Sequence, residues 1–416
     1  MANDNKYIPA LRFPEFQNDG EWGLASVGIY YKVQGGFAFK SGEFKDSGIP
    51  IVRISNIPND GNYVDTNNCV YYDRIPNEKS FLIAKGDLLI AMSGATTGKT
   101  AVYNKDNEAY LNQRVGLFKS TNSQNYYPFI CQWVKTELFQ NQLKRTLAAG
   151  AQPNISSKDI ESFTLIYPTS DNSSNEQKKI ADCLSSLDSY IDATKRKLEQ
   201  LKEHKKGLMQ RLFPAKGKTI PALRFPEFQN EGEWNYENGD ILYGSIVNKK
   251  HKSDLPILAI TQENGAIPRD EINYRVVVED KSIEGYKVVE IGDFIISLRS
   301  FQGGIEYSRY EGLCSPAYIV LRKRHSKICD DFYRHYFKSF QYIQELNRNL
   351  EGIRDGKMIS YKQFADIKLP YPCYEEQCKI AKCLSSIDDV IQSYIEKKTA
   401  LELHKNGLMQ QIFPKL

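Results

Sequence analysis

"EQKKIADCLSSLDSYI" fills Glu176–Ile191 and returns as "EQCKIAKCLSSIDDVI" at Glu376–Ile391, 200 residues later. Outward from the first copy, Ile180, Leu184, Leu187, Ile191, Thr194, Leu198, Leu201, Lys205, Leu208 and Leu212 follow at alternating steps of four and three. That is the spacing of a heptad seam. The second copy repeats it with Ile380, Leu384, Ile387, Ile391, Tyr394, Lys398, Leu401, Lys405, Leu408 and Ile412. Ser174 with Gln177 reads as a capping box, and Phe213-Pro214 and Phe413-Pro414 supply matching stops. Each predicted helix runs about 38 residues, or roughly 55 Å. A helix of that length with a single apolar stripe needs a partner, and the other copy is the expected one. A pseudo-twofold relation between the copies would run the two antiparallel. A pair of ordinary core helices is the alternative.

The repeat extends through most of the chain. "IPALRFPEFQN" stands at Ile8–Asn18 and again at Ile220–Asn230. "PIVRIS" from Pro50 faces "PILAIT" from Pro256, and "KGDLLIAMS" from Lys85 faces "IGDFIISLR" from Ile291. "ISSKDIESFTLIYP" from Ile155 faces "ISYKQFADIKLPYP" from Ile359. The separation shrinks from 212 through 206 and 204 to 200. A tandem duplication whose second copy lost loop residues gives that pattern. Start and end of each half are nearly constant while the middle has diverged. Its short apolar runs bounded by Gly, Pro, Asn and Asp read as strands, with a helix near 127–147 and 331–350. The expected fold is α+β: a mixed module followed by a long helix, twice over, with the two helices pairing as an antiparallel coiled coil of pseudo-twofold symmetry. Expected boundaries are 1–173 and 215–373 for the modules, 174–214 and 374–416 for the helices.

Composition narrows the function classes. Hydrophobic residues make up 41% of 416, enough for sizeable cores, and a net charge of +4 is too weak to mark a nucleic-acid binder by itself. The eight cysteines form no CxxC pair, and only Cys373, Cys378 and Cys383 lie close together, without histidines at ligand spacing. Reduced thiols and no metal site are expected. The start "MANDNKYIP" lacks an apolar signal segment and no stretch is apolar enough to span a membrane, so a cytoplasmic location is expected.

"SGATTGKT" at Ser93–Thr100 resembles a phosphate loop, but Gly94 and Gly98 enclose one residue too few, and Ile305 replaces Lys99 in the other copy. A hairpin, or a loop laid on a nucleic-acid backbone, fits better. His204 and His404 match on the two helices, and no metal-protease or His/Cys/Asp cluster appears. Nor is there the Asn- or Asp-Pro-Pro-Tyr motif of adenine methyltransferases, so the chain is not expected to be an enzyme.

Side chains able to read base edges do gather in the module turns. In the first module they are Lys40, Arg53, Asn56, Thr96, Thr97, Lys99, Asn112, Gln113, Arg114, Gln152 and Asn154. In the second they are Lys249, Lys250, His251, Lys252, Gln262, Arg299, Gln302, Arg354 and Lys357. Taken singly, each is more simply a solvated charge or a turn amide. Equivalent positions carrying different chemistry in two copies raise the set above that reading.

Two near-identical helices separating two divergent modules, with "LRFPEF", "GFAFKS", "EQKKIADCLSSLD" and "HKKGLMQRLFP" in that order, resemble the specificity subunit of a type I restriction-modification system. The resemblance covers essentially the whole chain. It implies two target-recognition domains, each reading one half of a bipartite, asymmetric site in double-stranded DNA, with the helices setting the spacing. It also implies docking of two modification subunits, which use S-adenosylmethionine for adenine-N6 methylation. Through them come two restriction subunits driven by ATP and Mg. No cofactor is expected on this chain. The loops "GAQPNIS" from Gly150 and "GIRDGKMIS" from Gly352 differ in style, so equivalent positions need not read bases alike. The competing readings are a coiled-coil scaffold whose modules bind proteins, and a nucleotide-dependent enzyme using Ser93–Thr100.

Overall fold

The computed structural model describes residues 7–59, 61–76, 78–122, 125–148, 153–251, 254–271, 280–348 and 359–415. The chain divides into two compact units, Met1–Lys195 with Glu396–Leu416, and Arg196–Ile395. The division falls inside both long helices, which span Ser173–Leu212 and Tyr374–Ile412. Each unit therefore holds one module, the start of one long helix and the end of the other.

In the first unit, Trp22–Ser26 pairs antiparallel with Thr164–Pro168, so the module's first strand meets its last. An antiparallel sheet then runs in the order Tyr31–Gly35, Val115–Ser120, Leu88–Ala91, Thr100–Val102. A second sheet orders Val70–Tyr72, Ile49–Val52, Ala109–Leu111 and Leu82–Ile83. Helices Tyr127–Trp133 and Glu137–Ala148 cover one side with Phe129, Ile130, Trp133 and Phe139, all buried. The second unit repeats the frame: Asn235–Asn238 pairs Lys368–Tyr371, and the four-stranded sheet keeps its order as Tyr243–Ile246, Ile319–Lys323, Phe294–Ile296, Glu306–Tyr307. Helices Asp330–Tyr336 and Phe340–Arg348 fill the place of the earlier pair.

The repeated "LRFPEF" fastens each module to both long helices. In the first unit Arg12 forms a two-pronged pair with Glu176, both contacts 2.7 Å, and Leu11 N donates to Gln411 O at 3.0 Å. In the second, Arg224 grips Glu376 at 2.8 and 2.7 Å and Leu223 N donates to Arg211 O at 2.8 Å. Trp22 stands edge-on to Phe413, and Phe213 packs on Phe332, so the end of the other helix completes each core.

Within each unit the two helix segments run antiparallel. Lys405 reaches Asp188 at 2.6 Å and Lys195 reaches Glu402 at 3.5 Å in the first unit; Lys205 reaches Asp388 at 2.5 Å in the second. The interface is less uniformly apolar than its heptads suggest. Ile180 and Leu184 lie in the first core with Met409, Ile412 and Phe413, and Leu408 packs against it; Ile380 and Leu384 lie in the second with Leu212, and Leu208 packs against that. Ile191 and Leu198 are buried, while Leu187, Leu201, Ile387, Ile391 and Leu401 are only half-buried. The modules themselves cover the helix faces near the ends, and ion pairs take over further along. The Ser174 cap is displaced too: the helix already starts at Ser173, and Gln177 turns its amide to Ser173 Oγ and Tyr126 N. Among the described residues no helix is long and apolar enough to cross a membrane.

Candidate nucleic-acid interface

In the first unit, strands Leu88–Ala91 and Thr100–Val102 are joined by the turn Met92–Lys99. Gly94 and Gly98 both take φ of 82°, a left-handed conformation that glycine alone adopts without cost. A strand follows the turn, so no helix N-terminus is present to hold a phosphate, and the nucleotide-loop reading falls. The turn is knitted to two other segments. Thr96 Oγ1 donates to Ile54 O at 3.1 Å, and Thr97 Oγ1 sits 2.6 Å from the carbonyl oxygens of Gly94 and Pro153. Met92 N donates to Arg114 O, Ile155 N donates to Met92 O, and Ser93 bridges Asn154. Between these segments opens a cleft of about 490 Å³ walled by Ser93, Gly94, Gln113, Arg114, Pro153 and Asn154.

The cleft presents side chains that can donate and accept hydrogen bonds. Gln113, Arg114 and Asn154 are exposed, as is Lys99 on the same turn. Ser93 Oγ is buried without a protein partner among the described residues. A guanidinium can take guanine O6 and N7 together, and an amide can take adenine N6 and N7.

Other expected readers do different work. Asn56 is 2% exposed; its Oδ1 accepts from Arg53 N and its Nδ2 donates to Asp65 O, each at 2.9 Å. Its amide closes a turn, which corrects its place among the readers: a buried amide is kept by satisfying it internally. Asn112 is half-buried and accepts from Arg114 N at 3.5 Å within the loop that carries Gln113 and Arg114. Arg53 is half-buried with its guanidinium 5.9 Å from the Phe44 ring. Lys40 lies apart, exposed and paired with Glu43. Gln152 lies outside the described residues, as do Lys252, Arg354 and Lys357 of the second module.

The equivalent turn of the second unit folds as a short helical turn, Ser300–Gly303, leaving Arg299 and Gln302 exposed. Gln262, also exposed, donates its amide to Arg299 O at 3.4 Å, so these three come together. Lys249, Lys250 and His251 occupy a separate loop, held by Lys250 N to Asn248 Oδ1 and by His251 Nε2, 3.2 Å from Tyr286 O. Lys249 and Lys250 are exposed.

Sequence reasoning passed over two residues. Ser93 enters the sequence reading only within the turn Ser93–Thr100, not as a candidate of its own. Phe37, 42% exposed and stacked on Phe81, accepts from Gln113 N at 2.9 Å through its carbonyl and so stands beside the loop of Gln113 and Arg114. Its signal is a large aromatic directly after the glycine pair of "GGFAF".

Beneath each module a polar network ties it to the helices. In the first unit Asp188 receives Lys405, Lys135 and the Gln132 amide. Burial opposes the Asp188 charge, but Lys135 and Lys405 outweigh it and hold the carboxyl below its ordinary value. Burial, with Lys135 alongside, pushes the Lys405 ammonium down to about 8. In the second unit His335 takes the place of Gln132 and lies 3.2 Å from Ser385 Oγ, as Gln132 lies 3.0 Å from Ser185 Oγ. Burial, reinforced by Arg334, lowers His335 to about 2, so it is neutral near pH 7.

Known proteins share this architecture. A family profile described as the type I restriction modification DNA specificity domain matches residues 24–203 and 212–403. A Methanocaldococcus jannaschii protein assigned as the specificity subunit of the type I restriction enzyme MjaX is 27% identical, over 87% of this chain and 85% of its own. The type I restriction enzyme EcoKI specificity subunit of Escherichia coli is 23% identical, over 95% and 88%. The solved S subunit of a type I restriction-modification system from M. genitalium superposes with a TM-score of 0.62 at 15% identity, covering 98% of this chain and 99% of that one.

Proposed function

The chain belongs to the type I restriction-modification DNA specificity family, and from that premise we propose that it reads a bipartite, asymmetric site in double-stranded DNA, one half per module. The observation that carries this reading is a shared frame whose connecting segments present different side chains in the two units. The first unit offers Gln113, Arg114 and Asn154 in a cleft beside the turn Met92–Lys99, and the second offers Arg299 and Gln302 on the matching helical turn with Gln262 bonded to it from a separate loop. A frame that keeps its fold while its turns change chemistry is suited to reading two unlike sequences.

The chain supplies specificity and no catalysis of its own. The helices set the spacing of the half-sites and dock two modification subunits, with two restriction subunits joining through them; S-adenosylmethionine, ATP and Mg would act on those partners. The complex would work in the cytoplasm, where its DNA is.

Exchanging residues 236–373 for the corresponding module of a relative tests the division of labour. Methylome sequencing of cells whose sole specificity subunit is the hybrid is expected to show one half of the methylated motif changed and the other kept. A change in both halves counts against independent modules.

A further inference from the structure

We infer that Lys338 is a positioning residue for base reading by the second module: its ammonium ties together the turn that presents Arg299 and Gln302 and the loop that presents Gln262. The inference rests on the reading of this chain as a DNA-specificity subunit.

Lys338 sits just past the helix Asp330–Tyr336 and is half-buried. Its Nζ donates to Gln262 O at 3.2 Å and to Gly303 O at 2.9 Å, and forms an ion pair with Glu306, which is 2% exposed. An ammonium has three protons, and here three acceptors take them, one on the Gln262 loop and two on the stretch Gly303–Glu306. The segments it joins are closely packed. A Cβ at Gly303 would meet the Gln262 side chain at 2.6 Å, and one at Gly304 would meet Phe337 O at 2.0 Å. Gln262 in turn donates to Arg299 O, so the lysine fixes the reading turn both directly and through that amide. Removing the ammonium leaves two carbonyls and a buried carboxylate to find other partners, which loosens the geometry of the exposed side chains above.

The duplication supplies an internal control. Lys135 holds the same place in the first unit: Lys135 N donates to Gln132 O at 3.0 Å as Lys338 N donates to His335 O at 3.1 Å. Yet Lys135 Nζ goes to Asn62 and Asp188, on the helix side, and the first reading turn is held by Thr96 and Thr97 instead. Only in the second module does this lysine serve the reading surface.

The test is methylome sequencing of cells carrying the full chain with its modification subunits, comparing wild type with Lys338→Met, Lys338→Arg, Lys135→Met and Arg299→Ala. Lys338→Met is expected to relax the base positions that Arg299→Ala relaxes, in one half-site only, with methylation of mismatched sites up about tenfold, a step within the discrimination of one base contact. Lys338→Arg, which keeps the charge and its donors, should retain the parent motif, and Lys135→Met should leave both halves strict. An unchanged motif in folded Lys338→Met, or relaxation of both halves together, overturns the inference. Should Lys338→Met fail to accumulate, Lys338→Ala, which leaves room for water beside Glu306, decides: it should relax the same positions, and a strict motif in it refutes the role. No bipartite motif with the wild-type chain would defeat the specificity reading itself, a separate outcome from failure at Lys338.

Discussion

Arg12 and Glu176 meet through two parallel contacts of 2.7 Å, and Arg224 and Glu376 repeat that geometry in the second unit. Each glutamate is at most 1% exposed at its side chain, and each arginine also donates to a carbonyl of its own turn, Gly20 or Gly232. The glutamate raises the guanidinium further through its hydrogen bonds and charge. This pair explains why the chain writes "IPALRFPEFQN" twice: the segment is the clasp between a module and the start of its long helix.

Arg12→Met would strand Glu176 in a buried site. The expected cost is about 3–5 kcal/mol, the range for breaking a buried pair from one side. Chemical denaturation of the full chain checks it, and the double change Arg12→Met with Glu176→Gln should recover part of the loss. A single change costing under about 1 kcal/mol would mean the clasp behaves as a surface pair.

Burial separates two leucines of the same seam. Leu184 is 0% exposed and Leu187 half-buried. Leu184→Ala is expected to cost about 2–5 kcal/mol, and Leu187→Ala clearly less. Equal losses in thermal or denaturant melts would show that the seam is uniform along the helix.

Acid should destabilise the second unit through His335. Its folded value near 2 lies far below the ordinary 6.5, so the unfolded chain binds a proton that the folded chain refuses. The stabilising term is complete above about 6.5 and falls as pH drops from there. Between pH 7.5 and 5.5 the wild type should lose about 1.4 kcal/mol more than His335→Gln, which carries the residue found at the matching position of the first unit. Parallel pH profiles for the two proteins would mean that His335 takes up its proton while folded.

Arg114→Ala should relax one base of the half-site read by the first module, by about 1–3 kcal/mol of discrimination, and leave the other half unchanged. Asn56→Ala, by contrast, should lower stability of the first unit without selectively changing any base preference, because its amide closes a turn. Methylome motifs and melting curves of the two variants separate these roles.

The sequence by itself determined the duplication, the two long helices and the frame around them. Those properties are periodic or repeated, so each residue carries its signal locally: the four-three spacing from Ile180 to Leu212 needs only neighbours along the chain. Tertiary structure alone decided what met across it. Heptad spacing could not say that Ile180 and Leu184 would share a core with Phe129 and Trp133 of a module, or that Lys405 would find Asp188. Nor could it tell Asn56, buried and satisfied, from Asn154, exposed at a cleft, since both are asparagines beside turns. That cleft exists because Met92, Arg114 and Ile155, far apart in sequence, share backbone hydrogen bonds. Such closures depend on where the chain returns, and the physical reason they escape the sequence is that any backbone amide can make them.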